Sequence, residues 1–215
     1  MPHAHGLAGC TDRATVPITR GTPTSIAVNP KTHAVYVGAS TPDDASTITV
    51  FDGSAYGAAD HSGRGLPLAD VPAGLNPMGL AVDPVTDTVY AALLANGEHA
   101  SSVAVIDGAR CNASNTSGCP EAPALAPTVF GSVGVALNPV THLVYVTNVE
   151  DTSVSFVDTR KCNGTDASGC AHASTPVPTD DYPSGVAVDP HVGTVYVTSG
   201  VRGTVSMIRS RQPGN

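Results

Sequence analysis

Five carboxylates, Asp43 and Asp44, Glu98, and Glu150 with Asp151, fall at matching places in a repeating pattern, and His99 stands beside Glu98. Such a set could hold a divalent cation or accept the hydroxyls of a polyhydroxylated ligand. Catalysis asks for more. A lone neighbouring His–Glu pair offers no nucleophile and no base oriented by a third group. There is no nucleophile elbow, no phosphate-cradling glycine loop and no histidine pair at metal-ligand spacing. Solvated turn residues are therefore the favoured reading of the carboxylates. His33 and His142 share one repeat position, three after a Pro, where Asp87 and Gly193 stand in the other copies; they read as turn residues. Asp83 and Asp189 alternate with Asn29 and Asn138 at another repeat position, an exchange that acid–base work would not tolerate. They read as turn caps. The sequence assigns no catalytic residue, no metal ligand and no cofactor.

The cysteines carry a second chemistry. Cys111 and Cys119 enclose seven residues, as do Cys162 and Cys170, in matching surroundings: Arg110-Cys111-Asn112 with Ser117-Gly118-Cys119, and Lys161-Cys162-Asn163 with Ser168-Gly169-Cys170. The expectation is two disulfide-pinned hairpin insertions, 111–119 and 162–170. Zinc is disfavoured, because it needs four ligands at one site and each insertion supplies two. Disulfides imply an oxidising compartment, hence an extracellular, cell-surface or periplasmic location. Asn112, Asn115 and Asn163 begin acceptor sequons for glycosylation, in agreement. Cys10 lies 20 residues before Pro30, as Cys119 lies 20 before Pro139 and Cys170 lies 20 before Pro190. It reads as the second cysteine of an insertion whose first half is missing. That favours a fragment of a longer array or a permuted end over a complete chain with one thiol free for intermolecular pairing.

These groups need elements to position them, and the composition says which kind. Of 215 residues, 22 are Gly and 18 Pro, while 41% are hydrophobic, which is too apolar for disorder and too punctuated for long helices. With 28 Val and 23 Thr against 10 Leu, the bias is that of pleated strands. One phrase recurs four times: Ser25-Ile26-Ala27-Val28-Asn29-Pro30, Gly79-Leu80-Ala81-Val82-Asp83-Pro84, Gly134-Val135-Ala136-Leu137-Asn138-Pro139 and Gly185-Val186-Ala187-Val188-Asp189-Pro190. Each is followed, six residues after the Pro, by Tyr36, Tyr90, Tyr145 or Tyr196, and the prolines are spaced by 54, 55 and 51 residues. Period-two alternation predicts one strand ending at the Asx and a tight turn. A second strand through the Tyr, a third such as Thr47–Phe51 or Ser153–Val157, and a looser fourth near 68–71, 125–129 and 175–178 follow.

Four strands per repeat, repeated radially, is the plan of a β-propeller blade. The phrase Pro183-Ser184-Gly185-Val186-Ala187-Val188-Asp189-Pro190 with Tyr196-Val197-Thr198-Ser199, and the literal Tyr145-Val146-Thr147-Asn148, resemble the YVTN family of β-propeller repeats over about residues 14–208. The second unit departs, with Tyr90-Ala91-Ala92-Leu93. The resulting expectation is an all-β propeller or propeller fragment over 1–215, with repeat phrases starting near 22, 76, 131 and 182. Ala14–Thr19 would supply the outer strand of the last blade and close a four-bladed ring. The resemblance speaks for fold and leaves function open, since such repeats resemble surface-layer proteins, binding propellers, lactone hydrolases and lyases alike.

By analogy of fold, ligands meet a propeller at the end where the loops into each inner strand and the second-to-third-strand loops converge. That rim would carry Asn76, Met78, His99, Ser132, Glu150, Asp151, Tyr182 and Ser184. The favoured function is a binding scaffold for a protein or glycan partner; the alternatives are a lactone hydrolase or lyase, with or without a divalent metal, and a purely structural array module. A net charge of -8 with scattered basic residues disfavours nucleic acid, and the longest apolar runs are too short to span a bilayer. Two copies joining into one larger ring are compatible with the odd Cys10.

Overall fold

The computed structural model describes residues 15–43, 45–55, 66–95, 100–172 and 175–210. Each repeat phrase is an inner strand: β1 Thr22–Val28, β5 Asn76–Asp83, β9 Ser132–Asn138 and β13 Pro183–Asp189. The strands through the tyrosines are β2 Ala34–Ser40, β6 Thr88–Leu94, β10 Leu143–Asn148 and β14 Thr194–Ser199. The third strands are β3 Ser46–Asp52, β7 Ser102–Asp107, β11 Ser153–Asp158 and β15 Thr204–Arg209. Outer strands are β4 Ala69–Gly74, β8 Ala124–Pro127 and β12 Val177–Pro178; prolines, which cannot donate to a ladder, keep the last two short at the sheet edge. Pairing is sequential and antiparallel, giving sheets β1-β2-β3-β4, β5-β6-β7-β8, β9-β10-β11-β12 and β13-β14-β15, one blade for each repeat.

The turn after each inner strand is built as its residue types require. Asn29 Oδ1 accepts from the Lys31 amide at 2.9 Å, and Asp83, Asn138 and Asp189 accept likewise from Val85, Val140 and His191. The fifth turn residue is left-handed in every copy: His33 at φ 58°, Asp87 at 49°, His142 at 58° and Gly193 at 63°. The two histidines are thus turn residues.

The core lies between blades, not within them. Tyr36, Ile48 and Val50 of the first blade meet Val89, Ala91 and Ala104 of the second. Tyr90, Val103 and Val105 meet Val144, Val146 and Val157 of the third. Tyr145 and Val154 meet Val195 and Val197 of the fourth. The inner strands approach closely across these junctions. A Cβ on Gly79 would lie 2.2 Å from the Val133 carbonyl oxygen, and one on Gly134 would lie 2.4 Å from that of Ser184. The repeat phrase opens on a small residue for that reason.

One expectation is corrected. Residues 15–18 form no strand, and Thr19 hydrogen-bonds to Thr49 and Asp70 of the first blade instead of pairing with β15. Among the described residues the fourth sheet has three strands. Val16 and Ile18 lie by the outward face of the first blade, lining with Ile26, Val35, Val37 and Phe51 a hollow of about 410 Å³. The physical reason is apolar: two β-branched side chains find a valine-rich sheet face nearer than the far edge of the array.

Candidate functional site

The loops named as a rim do share one end of the blades, because the second-to-third-strand loops and the segments leading into the inner strands emerge on the same side of sequentially paired antiparallel sheets. Their residues divide into three separate groups. Asn76 and Met78 line a hollow of about 480 Å³ with Thr22, Thr24, Ser40 and Thr41, at the junction of the first two blades. Ser46 Oγ donates to Asn76 Oδ1 at 3.3 Å. The Ser40 hydroxyl is buried and has no hydrogen-bond partner among the described residues. Asp43, beside this hollow, pairs with Arg20 at 2.5 Å.

Glu150 and Asp151 are exposed on the loop between β10 and β11. Asp151 accepts from Ser153 Oγ at 2.7 Å, a turn contact. Ser132 is not at the surface. It is fully buried, shares a 2.7 Å hydrogen bond with Thr128 and donates to Asn148 Oδ1 at 3.1 Å, while Asn148 Nδ2 reaches Ser153 and Ser155. This network is what the Asn of the Tyr145-Val146-Thr147-Asn148 motif does: it ties three strands together inside the blade.

Tyr182 and Ser184 stand where the chain enters the fourth blade. Tyr182 is 54% exposed and left-handed at φ 60°, at the place where Gly131 with φ 84° introduces the third blade. Ser184 Oγ lies 3.3 Å from Thr198 Oγ1. His99, Glu98 and Asp44, like Cys10, lie outside the described residues. No three His, Cys, Asp or Glu side chains among the described residues converge as metal ligands.

Sequence reasoning missed a larger hollow, of about 640 Å³, at this same end. It is lined by Ala73, Leu75, Leu93, Ala100, Leu125 and Pro127, among others. The signal was present in the departure of the second repeat: Leu93 stands where Asn148 stands in the third, so a polar strand tie is replaced by an apolar wall.

Both cysteine pairs are bonded, Cys111 to Cys119 and Cys162 to Cys170. The Asn112 and Asn163 side chains are buried in these insertions. Asn112 Nδ2 donates to Gly108 O at 2.6 Å, and Asn163 Nδ2 to Thr159 O at 2.8 Å. In the folded protein neither nitrogen is presented for glycosylation. Asn115 is exposed.

No family model matches the chain, and no curated protein matches it. Solved structures do. A chain of a nidogen–laminin complex aligns with a TM-score of 0.58 at 14% identity, over 87% of this chain and 59% of that one. Hydrazine synthase of Kuenenia stuttgartiensis aligns with a TM-score of 0.47 at 17% identity, over 87% of this chain and 71% of that one. A Bacteroides caccae protein of unknown function aligns with a TM-score of 0.49 at 11% identity, over 87% and 60%. The chain is an all-β, propeller-like array of four blades. It spans about three fifths of the chain from the nidogen–laminin complex.

Proposed function

We propose that this protein is a non-enzymatic interaction scaffold of the YVTN type, working outside the cytoplasm and presenting the loop-bearing end of its blades to a protein or glycan. The observation that carries the reading is the hollow around Asn76 and Met78. It is walled by the hydroxyl-bearing residues Thr22, Thr24, Ser40 and Thr41, a polar lining suited to a hydroxyl-rich or peptide ligand. Exposed Glu150, Asp151, Tyr182 and Ser184 extend the same end with acidic, aromatic and hydroxyl groups, suited to polar recognition around an aromatic anchor. Two disulfides agree with an oxidising location. The fold likeness to a chain of a nidogen–laminin complex supports the scaffold reading by analogy alone.

The test is binding to arrayed glycans and purified extracellular proteins, repeated with Met78→Ala, Glu150→Ala and Tyr182→Ala. A partner bound by the wild type and weakened at least about tenfold by one of these changes supports the rim, that factor corresponding to about 1.4 kcal/mol. Undiminished binding by all three variants, or no binding to either panel, sinks it.

A further inference from the structure

The three junctions between blades follow one rule, and among the described residues it leaves two faces over. Each junction joins the tyrosine face of one blade to the valine-rich face of the next. On the tyrosine face, Ile48, Val103 and Val154 are equivalent positions, at 0%, 0% and 1% exposure; the fourth-blade equivalent, Val205, is 55% exposed. Val50 and Val105, opposite their tyrosines at 0% and 4%, correspond to Met207 at 74%. On the other side of the rule, Leu80 and Val82 of the second blade are packed into the first junction. Their first-blade equivalents, Ile26 and Val28, are 66% and 54% exposed. Val16 and Ile18 leave them so.

Polar contacts also cross the junctions, though not the same one at each. Asn29 Nδ2 donates to Asp87 Oδ1 at 3.2 Å across the first junction. The fourth-blade counterpart of Asn29 is Asp189, and the first-blade counterpart of Asp87 is His33, so a junction made from the two free faces sets an acid against an imidazole. Ser25 Oγ donates to the Pro77 carbonyl at 3.0 Å, and Gly79 and Gly134 abut the carbonyls of Val133 and Ser184. A Cβ on Gly185 would meet, among the described residues, atoms of Thr198 of its own blade and no next-blade carbonyl.

We propose that the free tyrosine face of the fourth blade, centred on Tyr196, Val205 and Met207, docks the free face of the first blade, centred on Ile26 and Val28, of a second copy of this chain. The contact is heterologous and continues head to tail the interface that the chain forms three times internally. Two copies close into a single ring if the blade rotation permits, and otherwise the array extends.

The experiment is light scattering after gel filtration of the full chain, with free thiols blocked by iodoacetamide so that thiol cross-links do not contribute and both disulfides stay intact. The wild type is expected to run as two or more chains. Met207→Glu and Ile26→Glu, both at exposed positions, are each expected to run as one chain, because every junction then lacks one face. Mixed in equal amounts, the two variants are expected to form a dimer, since one intact face of each kind remains. Far-UV circular dichroism melts check folding, and Val205→Lys with Val28→Lys forms a second pair should a glutamate unfold the chain. A monomeric wild type overturns the proposal, as does an assembly that survives either substitution or a mixture that stays monomeric.

Discussion

The Tyr36 hydroxyl donates to the Cys111 carbonyl oxygen at 2.6 Å, across the first junction and between fully buried residues 75 positions apart. Tyr90 repeats the contact on Cys162 at 2.8 Å, and Tyr145 meets Ser210 Oγ at 2.6 Å. Each of these three tyrosines therefore latches its blade to the segment that follows the third strand of the next blade, and in two cases that segment is a disulfide-pinned insertion. Burial first, then the charges of Asp87 and Asp107, push the Tyr36 phenol up, so it stays a neutral donor throughout the physiological range.

Removing the latch hydroxyl leaves a buried carbonyl unsatisfied. Tyr36→Phe is expected to cost about 1–3 kcal/mol, or about 2–4 °C in melting temperature for each kcal/mol at this chain length. Tyr196→Phe is expected to change the melting temperature of the monomer little, because its hydroxyl has no next-blade partner among the described residues. Equal losses from both would show that the junction bond contributes nothing.

The insertions should behave as staples. Replacing Cys162 and Cys170 together by Ala opens a loop of eight-residue separation and is expected to lower unfolding free energy by about 2–3 kcal/mol on the chain-entropy model. Urea titration measures it. A loss shared by Tyr90→Phe in the same background, smaller than the sum of the two separately, would show that the disulfide acts by presenting the Cys162 carbonyl.

At the fourth blade, the left-handed Tyr182 is a strained residue in a glycine's place. Tyr182→Gly removes a Cβ penalty of about 1–2 kcal/mol and adds unfolded-chain entropy of opposite sign, for a net stabilisation of about 0.5–1 kcal/mol. The same variant should bind any rim ligand more weakly, since the aromatic ring is lost. Increased stability with reduced binding is the expected pair of readings, from a melt and a titration. A destabilised variant would mean that the ring itself packs.

Acid should expose one ion pair. Arg160 bonds Asp158 through both Nε and Nη2, at 2.9 and 2.8 Å, and these bonds hold the carboxyl below its ordinary value of 3.8. A carboxyl depressed in the folded state contributes stability above its unfolded value and loses that contribution as pH falls through the folded value. The gap in melting temperature between wild type and Arg160→Ala should therefore be full at neutral pH and close as pH drops below about 3.8. A gap unchanged down to the most acid measurable melt would remove the charge from the explanation.

Local physics wrote much of this protein into its sequence. Valine and threonine at period two specified strands. Asx-Pro followed by a left-handed position specified the turns, so His33 and His142 were readable as turn residues before any coordinates. Paired cysteines at equal spacing specified the insertions. What the sequence could not show is which surfaces meet. Ser132 sits beside loop residues along the chain, yet the ladder turns it inward onto Asn148. Asn112 has a sequon's neighbours, yet its amide is spent on its own turn. Val205 and Met207 carry the same pattern as Ile48 and Val50, and only the stacking of blades buries one pair and exposes the other. Strand and turn are decided within a few residues, whereas burial is decided by the neighbour that arrives from another repeat.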